Sequence, residues 1–99
     1  MVLKPRTGNQ YAIASGEWSA VVTELGASLR ELKWRGEDII VPFDPDKVIP
    51  CCNGWVLAPY PNRVTNGQYS FEGVDYQMPI DEFDRQSSLH GYAYRHMWQ

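Results

Sequence analysis

Apolar and polar residues alternate over short runs of this chain, and glycine or proline interrupts the runs about every eight to twelve residues. Alternation places successive side chains on opposite faces of an extended backbone, so a period of two predicts strands. Short alternating runs separated by turn residues are typical of antiparallel sheets. The pattern therefore predicts an all-β protein.

The N-terminal half predicts three strands in succession. Tyr11 and Ile13 share one face of the first strand, and residues 17–23 alternate in the same way beyond a turn at Ser15-Gly16. Residues 25–34 also fit a helical spacing, because leucines recur at three- and four-residue intervals. Alternation into the turn at residues 35–38 and the β-branched run 39–41 favours a third strand instead.

The middle of the chain predicts a loop, a buried strand and a hairpin. Three prolines in residues 42–50 exclude regular structure there, and the apolar run 51–57 predicts a short buried strand. Alternating aromatic residues on both sides of Glu72-Gly73 predict a β-hairpin over residues 69–78 whose aromatic side chains pack in a core. Residues 79–88 predict a polar connection, and residues 92–99 a last strand that ends abruptly.

A stiff segment between the predicted buried strand and this hairpin carries two candidate ligand contacts. Pro59 and Pro61 fix their own φ angles and extend the residues before them, so Asn62 and Arg63 stand on a rigid backbone. An amide and a guanidinium together offer donors and an acceptor for a ligand rich in hydroxyl groups. The alternative is a loop arginine in a salt bridge with a nearby carboxylate.

Composition limits the size of the protein and the partners that it can bind. A chain of 99 residues with 43% hydrophobic, 21% charged and 13% aromatic residues can form one small domain. A net charge of −3 gives no basic surface for nucleic acid, and no apolar run is long enough to span a membrane. The N-terminus lacks a signal-peptide pattern, so we expect a cytoplasmic protein.

The cysteines and histidines predict no metal site and no cofactor. Cys51 and Cys52 are adjacent, so we expect reduced, structural thiols; their spacing to His90 and His96 does not fit a zinc site. His90 precedes Gly91, where another backbone segment can approach closely, so it is a candidate acid or base beside the alternative of a structural histidine. For His96 a structural role is the better interpretation.

An acidic cluster is the other candidate for chemistry. Asp81, Glu82 and Asp84 resemble the carboxylates of glycosidases in type, but nothing in the sequence fixes their separation. Because they lie in the polar connection, a solvated acidic loop is the favoured interpretation.

Several segments in a fixed order identify a family resemblance. They are Leu57-Ala58-Pro59-Tyr60-Pro61-Asn62-Arg63-Val64, Gly67-Gln68-Tyr69-Ser70-Phe71-Glu72-Gly73, Tyr76-Gln77-Met78-Pro79, Leu89-His90-Gly91 and Trp98. Together they resemble the aldose 1-epimerase, or galactose mutarotase, family over roughly residues 16–98. The resemblance implies an antiparallel β-sandwich that binds a free hexose and interconverts its α and β anomers by acid/base ring opening.

The resemblance also implies roles for particular residues. Arg63 and His90 correspond to sugar contacts near the ring, with Asn62 beside them, and His90 assists catalysis at the ring oxygen. The resemblance shifts the interpretation of Arg63 from a salt bridge to a sugar contact. It implies no metal or cofactor.

The family's second histidine and its base carboxylate have no counterpart here, and His96 does not match that histidine. We therefore expect residues 1–99 to form a single partial domain, an N-terminal portion of the sandwich, that is inactive alone. Its open sheet edges would pair with the missing portion or with another copy. The alternative function is a non-catalytic carbohydrate-binding or structural β-module.

Overall fold

The structure is a computed structural model that describes residues 3–99. Within that range the regular elements are eight strands and three short 3₁₀ helices, with no α-helix, so the predicted all-β class is confirmed. None of the helices in this range is long and apolar enough to cross a membrane. The chain divides into two compact units: the described residues up to Val56 together with Ala93–Gln99, and Leu57–Tyr92.

The first unit contains a four-stranded antiparallel sheet in sequential order. Its strands are β1 (Gln10–Ser15), β2 (Trp18–Thr23), β3 (Leu29–Trp34) and β4 (Glu37–Asp38). The pairing of Ser15 with Trp18 leaves a two-residue turn, as the predicted hairpin requires. Ile13 lies opposite Ala20, which lies opposite Leu32, so the period-two pattern places apolar residues on one face.

Residues of the first unit bury little apolar surface. The buried apolar residues of the described chain all belong to this unit and are Ala20, Phe43, Ile49 and Ala93. On the apolar face of the sheet Ala20 is buried, whereas Ile13 is 62% and Trp18 47% exposed. The proline-rich segment is a loop, as predicted, and it contributes two of the four buried apolar residues, Phe43 and Ile49.

Several predictions for the first unit are wrong in detail. Residues 51–57 form no strand; a 3₁₀ helix, Pro50–Cys52, is followed by a turn, and Cys51 is exposed. The left-handed backbone of both cysteines is incompatible with a strand. Strand β4, Glu37–Asp38, lies within residues 35–38, which the sequence predicted as a turn. Residues 92–99 form a 3₁₀ helix, Ala93–Arg95, and a single bridge between Leu25 and Met97 instead of a strand.

The second unit contains two separate strand pairs. They are β5 (Arg63–Thr65) with β8 (Ser87–Leu89), and β6 (Gln68–Phe71) with β7 (Val74–Gln77). The β6–β7 hairpin confirms the predicted turn at Glu72-Gly73. Its aromatic residues do not pack in a core of this chain, because Phe71 is 62% and Tyr69 45% exposed. The expected core packing of the hairpin is therefore wrong within the described residues.

Strands β5 and β8 were not predicted. The sequence predicts a stiff loop around Arg63 and a polar connection over residues 79–88. Instead Val64 pairs with Ser88, and both serines are buried. Serine satisfies a buried strand position when the hydroxyl finds a partner, which the alternation of apolar residues does not reveal.

Candidate functional site

The β5–β8 pair brings the two motifs of the sequence analysis together. Arg63 lies opposite Leu89 at the end of the pair, so Asn62 and His90 face each other just beyond it. The His90 amide donates to the Asn62 carbonyl at 2.8 Å, and the Asn62 amide donates to Nδ1 of His90 at 2.9 Å. Asn62, Arg63 and His90 thus form one cluster, although 28 residues separate the outer two.

The backbone turns sharply at both sides of this cluster. Asn62 has φ of 64° and His90 has φ of 58°, which is the left-handed region. Asparagine and histidine enter that region more readily than most residues, yet each such position carries a conformational cost. The reciprocal hydrogen bonds between the two residues hold this conformation in place.

Gly91 fixes the position of His90 through close backbone packing. A Cβ atom at Gly91 would lie 2.1 Å from the carbonyl oxygen of Ala58, and the backbone φ is +69°. The next amide, that of Tyr92, donates to the same Ala58 oxygen at 2.7 Å. The close backbone approach expected at this glycine is therefore present, and only glycine fits it.

Arg63 forms a bidentate ion pair with Glu82. Its Nη2 donates to Oε2 of Glu82 at 2.9 Å, its Nε donates to Oε1, and its Nη1 donates to Oδ1 of Asn62 at 3.3 Å. The hydrogen bond from Arg63 lowers the pKa of the Glu82 carboxyl, and the same bond raises the pKa of the guanidinium. The salt bridge considered as the alternative for Arg63 is thus present, and it holds the guanidinium beside Asn62.

The acidic segment is not the solvated loop that the sequence favoured. Asp81 Oδ1 accepts a hydrogen bond from the Leu89 amide at 2.8 Å, and Glu82 pairs with Arg63. Only Asp84 of the three carboxylates lies on an exposed residue. Glu82 was not predicted to contact Arg63; the signal that could have identified it is that an arginine in a site is often paired with a carboxylate.

Tyrosine side chains line the segment that leads to the cluster. The hydroxyls of Tyr60 and the buried Ser88 are hydrogen-bonded, and the Tyr60 and Tyr92 rings meet edge to face at 6.1 Å. Burial raises the pKa of Tyr92. His96 is not part of this cluster; it lies in the first unit, where its ring meets that of Trp98 at 4.8 Å.

The arrangement can bind a polar ligand through fixed donors. Nδ1 of His90 accepts a hydrogen bond, so in the neutral ring the proton resides on Nε2, which is a donor. Asn62 and Arg63 are exposed and add amide and guanidinium groups. Across residues 3–99, His, Cys, Asp and Glu side chains do not form a group of three or more that could hold a metal ion.

Comparison with known proteins places the chain in a wider context. The family model described as Aldose 1-epimerase matches residues 9–99. Among curated proteins, the uncharacterised protein YihR of Escherichia coli (strain K12) is 34% identical over 93 residues, which is 94% of this chain and 30% of that protein.

Solved structures show the same fold. A galactose 1-epimerase from Lactobacillus acidophilus NCFM superposes with a TM-score of 0.73 at 21% identity, over 91% of this chain and 28% of that one. A GalM/aldose epimerase homologue from C. elegans gives 0.71 at 24% identity, over 92% and 31% respectively. The expected β-sandwich class is confirmed, and the chain spans about 30% of the length of the relatives that it matches.

Proposed function

Because this chain belongs to the aldose 1-epimerase family, we propose that the site around Asn62, Arg63 and His90 binds a free hexose. In the complete site, the α and β anomers of this sugar would interconvert by acid/base ring opening. The observation that carries the proposal is the joining of the Asn-Arg and His-Gly motifs by β5 and β8, with the Asn62 amide 2.9 Å from Nδ1 of His90. This contact fixes which nitrogen of the histidine donates.

The proposed role of His90 is to assist at the ring oxygen of the sugar. Opening the ring breaks the bond between C1 and the ring oxygen, and negative charge develops on that oxygen. A donor held in place before the reaction stabilises such charge without reorganisation. Nε2 of His90 is suited to this role because the Asn62 amide occupies Nδ1.

Arg63 and Asn62 are proposed as sugar-binding residues. The guanidinium keeps the same orientation because Glu82 engages its Nε and Nη2. Its Nη1 contacts the Asn62 side chain, so one ligand hydroxyl can meet both residues. Asn62 adds an amide that both donates and accepts.

The base that removes the proton of the anomeric hydroxyl is proposed to lie outside these residues. Glu82 is a poor base, because its bidentate pair with Arg63 lowers its pKa and occupies its oxygens. Asp81 accepts a backbone amide hydrogen bond instead. We therefore expect the 99-residue chain to bind sugar and to leave the rate of mutarotation unchanged.

We further propose that residues 1–99 are one partial domain of the family's sandwich. The family match over residues 9–99, which includes parts of both compact units, supports this. Strand β1 is an outer strand of its sheet, and its six residues carry no charge and no proline. Such an edge accepts a further strand, from the remaining portion of the sandwich or from a second copy.

Sugar titration and polarimetry test the proposed site. With the 99-residue chain, we expect D-galactose or D-glucose to shift the NMR amide signals of Asn62 and His90. Arg63→Ala should abolish the shifts. Arg35→Ala is the matched control, because Arg35 is also exposed and ion-paired, with Glu17, but lies in the first unit.

The two possible failures have different meanings. Absence of sugar-dependent shifts in the wild-type chain would contradict the proposed sugar site. Mutarotation of freshly dissolved α-galactose above the buffer rate, removed by His90→Ala, would instead contradict the assignment of the base outside these residues.

A further inference from the structure

A concave site lies in the first unit, which does not contain Asn62, Arg63 or His90. It is a cavity of about 330 Å³. Volumes of this order are typical of small-molecule sites. Its lining includes Arg6, Lys47 and Arg95 together with Trp55 and Tyr94. None of its lining residues is acidic, although the whole chain carries a net charge of −3.

The aromatic part of the cavity is a stacked pair of rings. Trp55 and Tyr94 are parallel within 4°, with ring centroids 3.9 Å apart, and the guanidinium carbon of Arg95 lies 5.1 Å from the Tyr94 centroid. Gly26 permits this arrangement, because a Cβ there would lie 2.5 Å from the Tyr94 carbonyl oxygen. The segment that carries Tyr94 and Arg95 can therefore pack directly on the chain at Gly26.

The cationic part is held by hydrogen bonds between two segments. The Arg6 amide donates to Oδ1 of Asp46 at 3.0 Å, and the hydroxyl of the buried Thr7 donates to the Pro45 carbonyl at 2.6 Å. These bonds place Arg6 and Lys47 on neighbouring stretches of backbone. The cavity lining thus combines cations from three parts of the chain.

The carboxylates of Asp44 and Asp46 accept backbone amide hydrogen bonds near this site. Asp46 accepts the Arg6 amide, and Oδ1 of Asp44 accepts the Asp46 amide at 2.8 Å. Among the ion pairs of residues 3–99, none joins Arg6 or Lys47 to a carboxylate. Their charges remain available to an anion.

We propose that this cavity binds a small organic anion with a flat ring, going beyond the sugar site of the proposed function. The ring would pack on the apolar and aromatic lining around Trp55, and the anionic group would meet the ammonium of Lys47 and the guanidinium of Arg6. A neutral molecule of the same shape would gain only the apolar contact. Charge complementarity therefore selects the anion.

Phenyl phosphate and benzamide are matched probes for this proposal. Titrations with the 99-residue chain would follow the indole NH signal of Trp55, assigned from the spectrum of Trp55→Phe. We expect phenyl phosphate to shift this signal and to bind about tenfold or more tightly than benzamide. Added salt should weaken the phosphate complex and leave benzamide binding unchanged.

Two lysine variants separate the cavity from general charge attraction. Lys47→Gln should weaken phenyl phosphate binding several-fold, whereas Lys33→Gln should not, because Lys33 lies on β3 beside Asp38, outside the cavity lining. Equal affinity for the two probes, no shift of the Trp55 signal, or equal effects of the two substitutions would overturn the proposal. Unchanged amide spectra of both variants would show that the fold is intact.

Discussion

Replacing Gly91 by alanine tests whether close backbone packing positions His90. The substitution adds a methyl group at a backbone φ of +69°, where it would lie 2.1 Å from the Ala58 carbonyl oxygen. Real Cβ contacts are not this short, so the backbone must move. The Tyr92–Ala58 hydrogen bond, at 2.7 Å, lies directly beside the clash and should open with it.

The expected cost has two parts that a control can separate. A left-handed backbone costs a non-glycine residue about 1–2 kcal/mol, and forcing an extra methyl group into a packed site costs about 1–3 kcal/mol more. Gly73, in the β6–β7 turn, has a similar φ of +78° but nothing within 4 Å of its Cβ position. Gly73→Ala therefore carries the first cost alone, and the difference between the variants is about 1–3 kcal/mol.

Amide hydrogen exchange measures this difference where it arises. The amides of His90 and Tyr92 are hydrogen-bonded to Asn62 and Ala58, so their exchange reports local opening of the site. We expect Gly91→Ala to accelerate exchange at both amides by about fivefold or more relative to Gly73→Ala. Global unfolding of Gly91→Ala alone would agree with the argument. Equal exchange rates at these amides in the two variants would refute it.

Two further predictions concern ionisable side chains. Glu82→Gln removes the ion pair with Arg63. Because the pKa of Glu82 is lowered in the folded protein, the pair stabilises the fold at pH values above the usual carboxyl pKa. This stabilisation is lost as the pH falls through the pKa of the folded state. In urea denaturation, Glu82→Gln should therefore have a lower free energy of unfolding than the wild type at neutral pH, and the difference should shrink in acid. Glu72→Gln, at an exposed residue, is the control and should show no such difference. A difference that does not change with pH would contradict the argument. Iodoacetamide should alkylate Cys51, the thiol left in Cys52→Ser, faster than Cys52, the thiol left in Cys51→Ser. Cys51 is exposed, whereas burial, more than the charge of Cys51, raises the pKa of Cys52. Equal alkylation rates by mass spectrometry would contradict this.

The local sequence pattern was sufficient to predict strands where segments close together in the chain pair with each other. The β1–β2 and β6–β7 hairpins each join strands through two-residue turns, so alternation and turn residues specify both the elements and their register. The same local logic identified Gly91 as a point of close approach. It failed for residues 51–57, where apolar composition suggested a strand and the backbone of Cys51 and Cys52 turns instead.

The sequence by itself determined the strand-rich class, the two hairpins and the family resemblance. Only the tertiary structure paired β5 with β8, placed the Asn62 amide on His90 and joined Arg63 to Glu82. The physical reason is separation along the chain. Hairpin contacts depend on a few adjacent residues, whereas contacts across 19 or 28 residues depend on how all the intervening chain folds, which local periodicity does not encode.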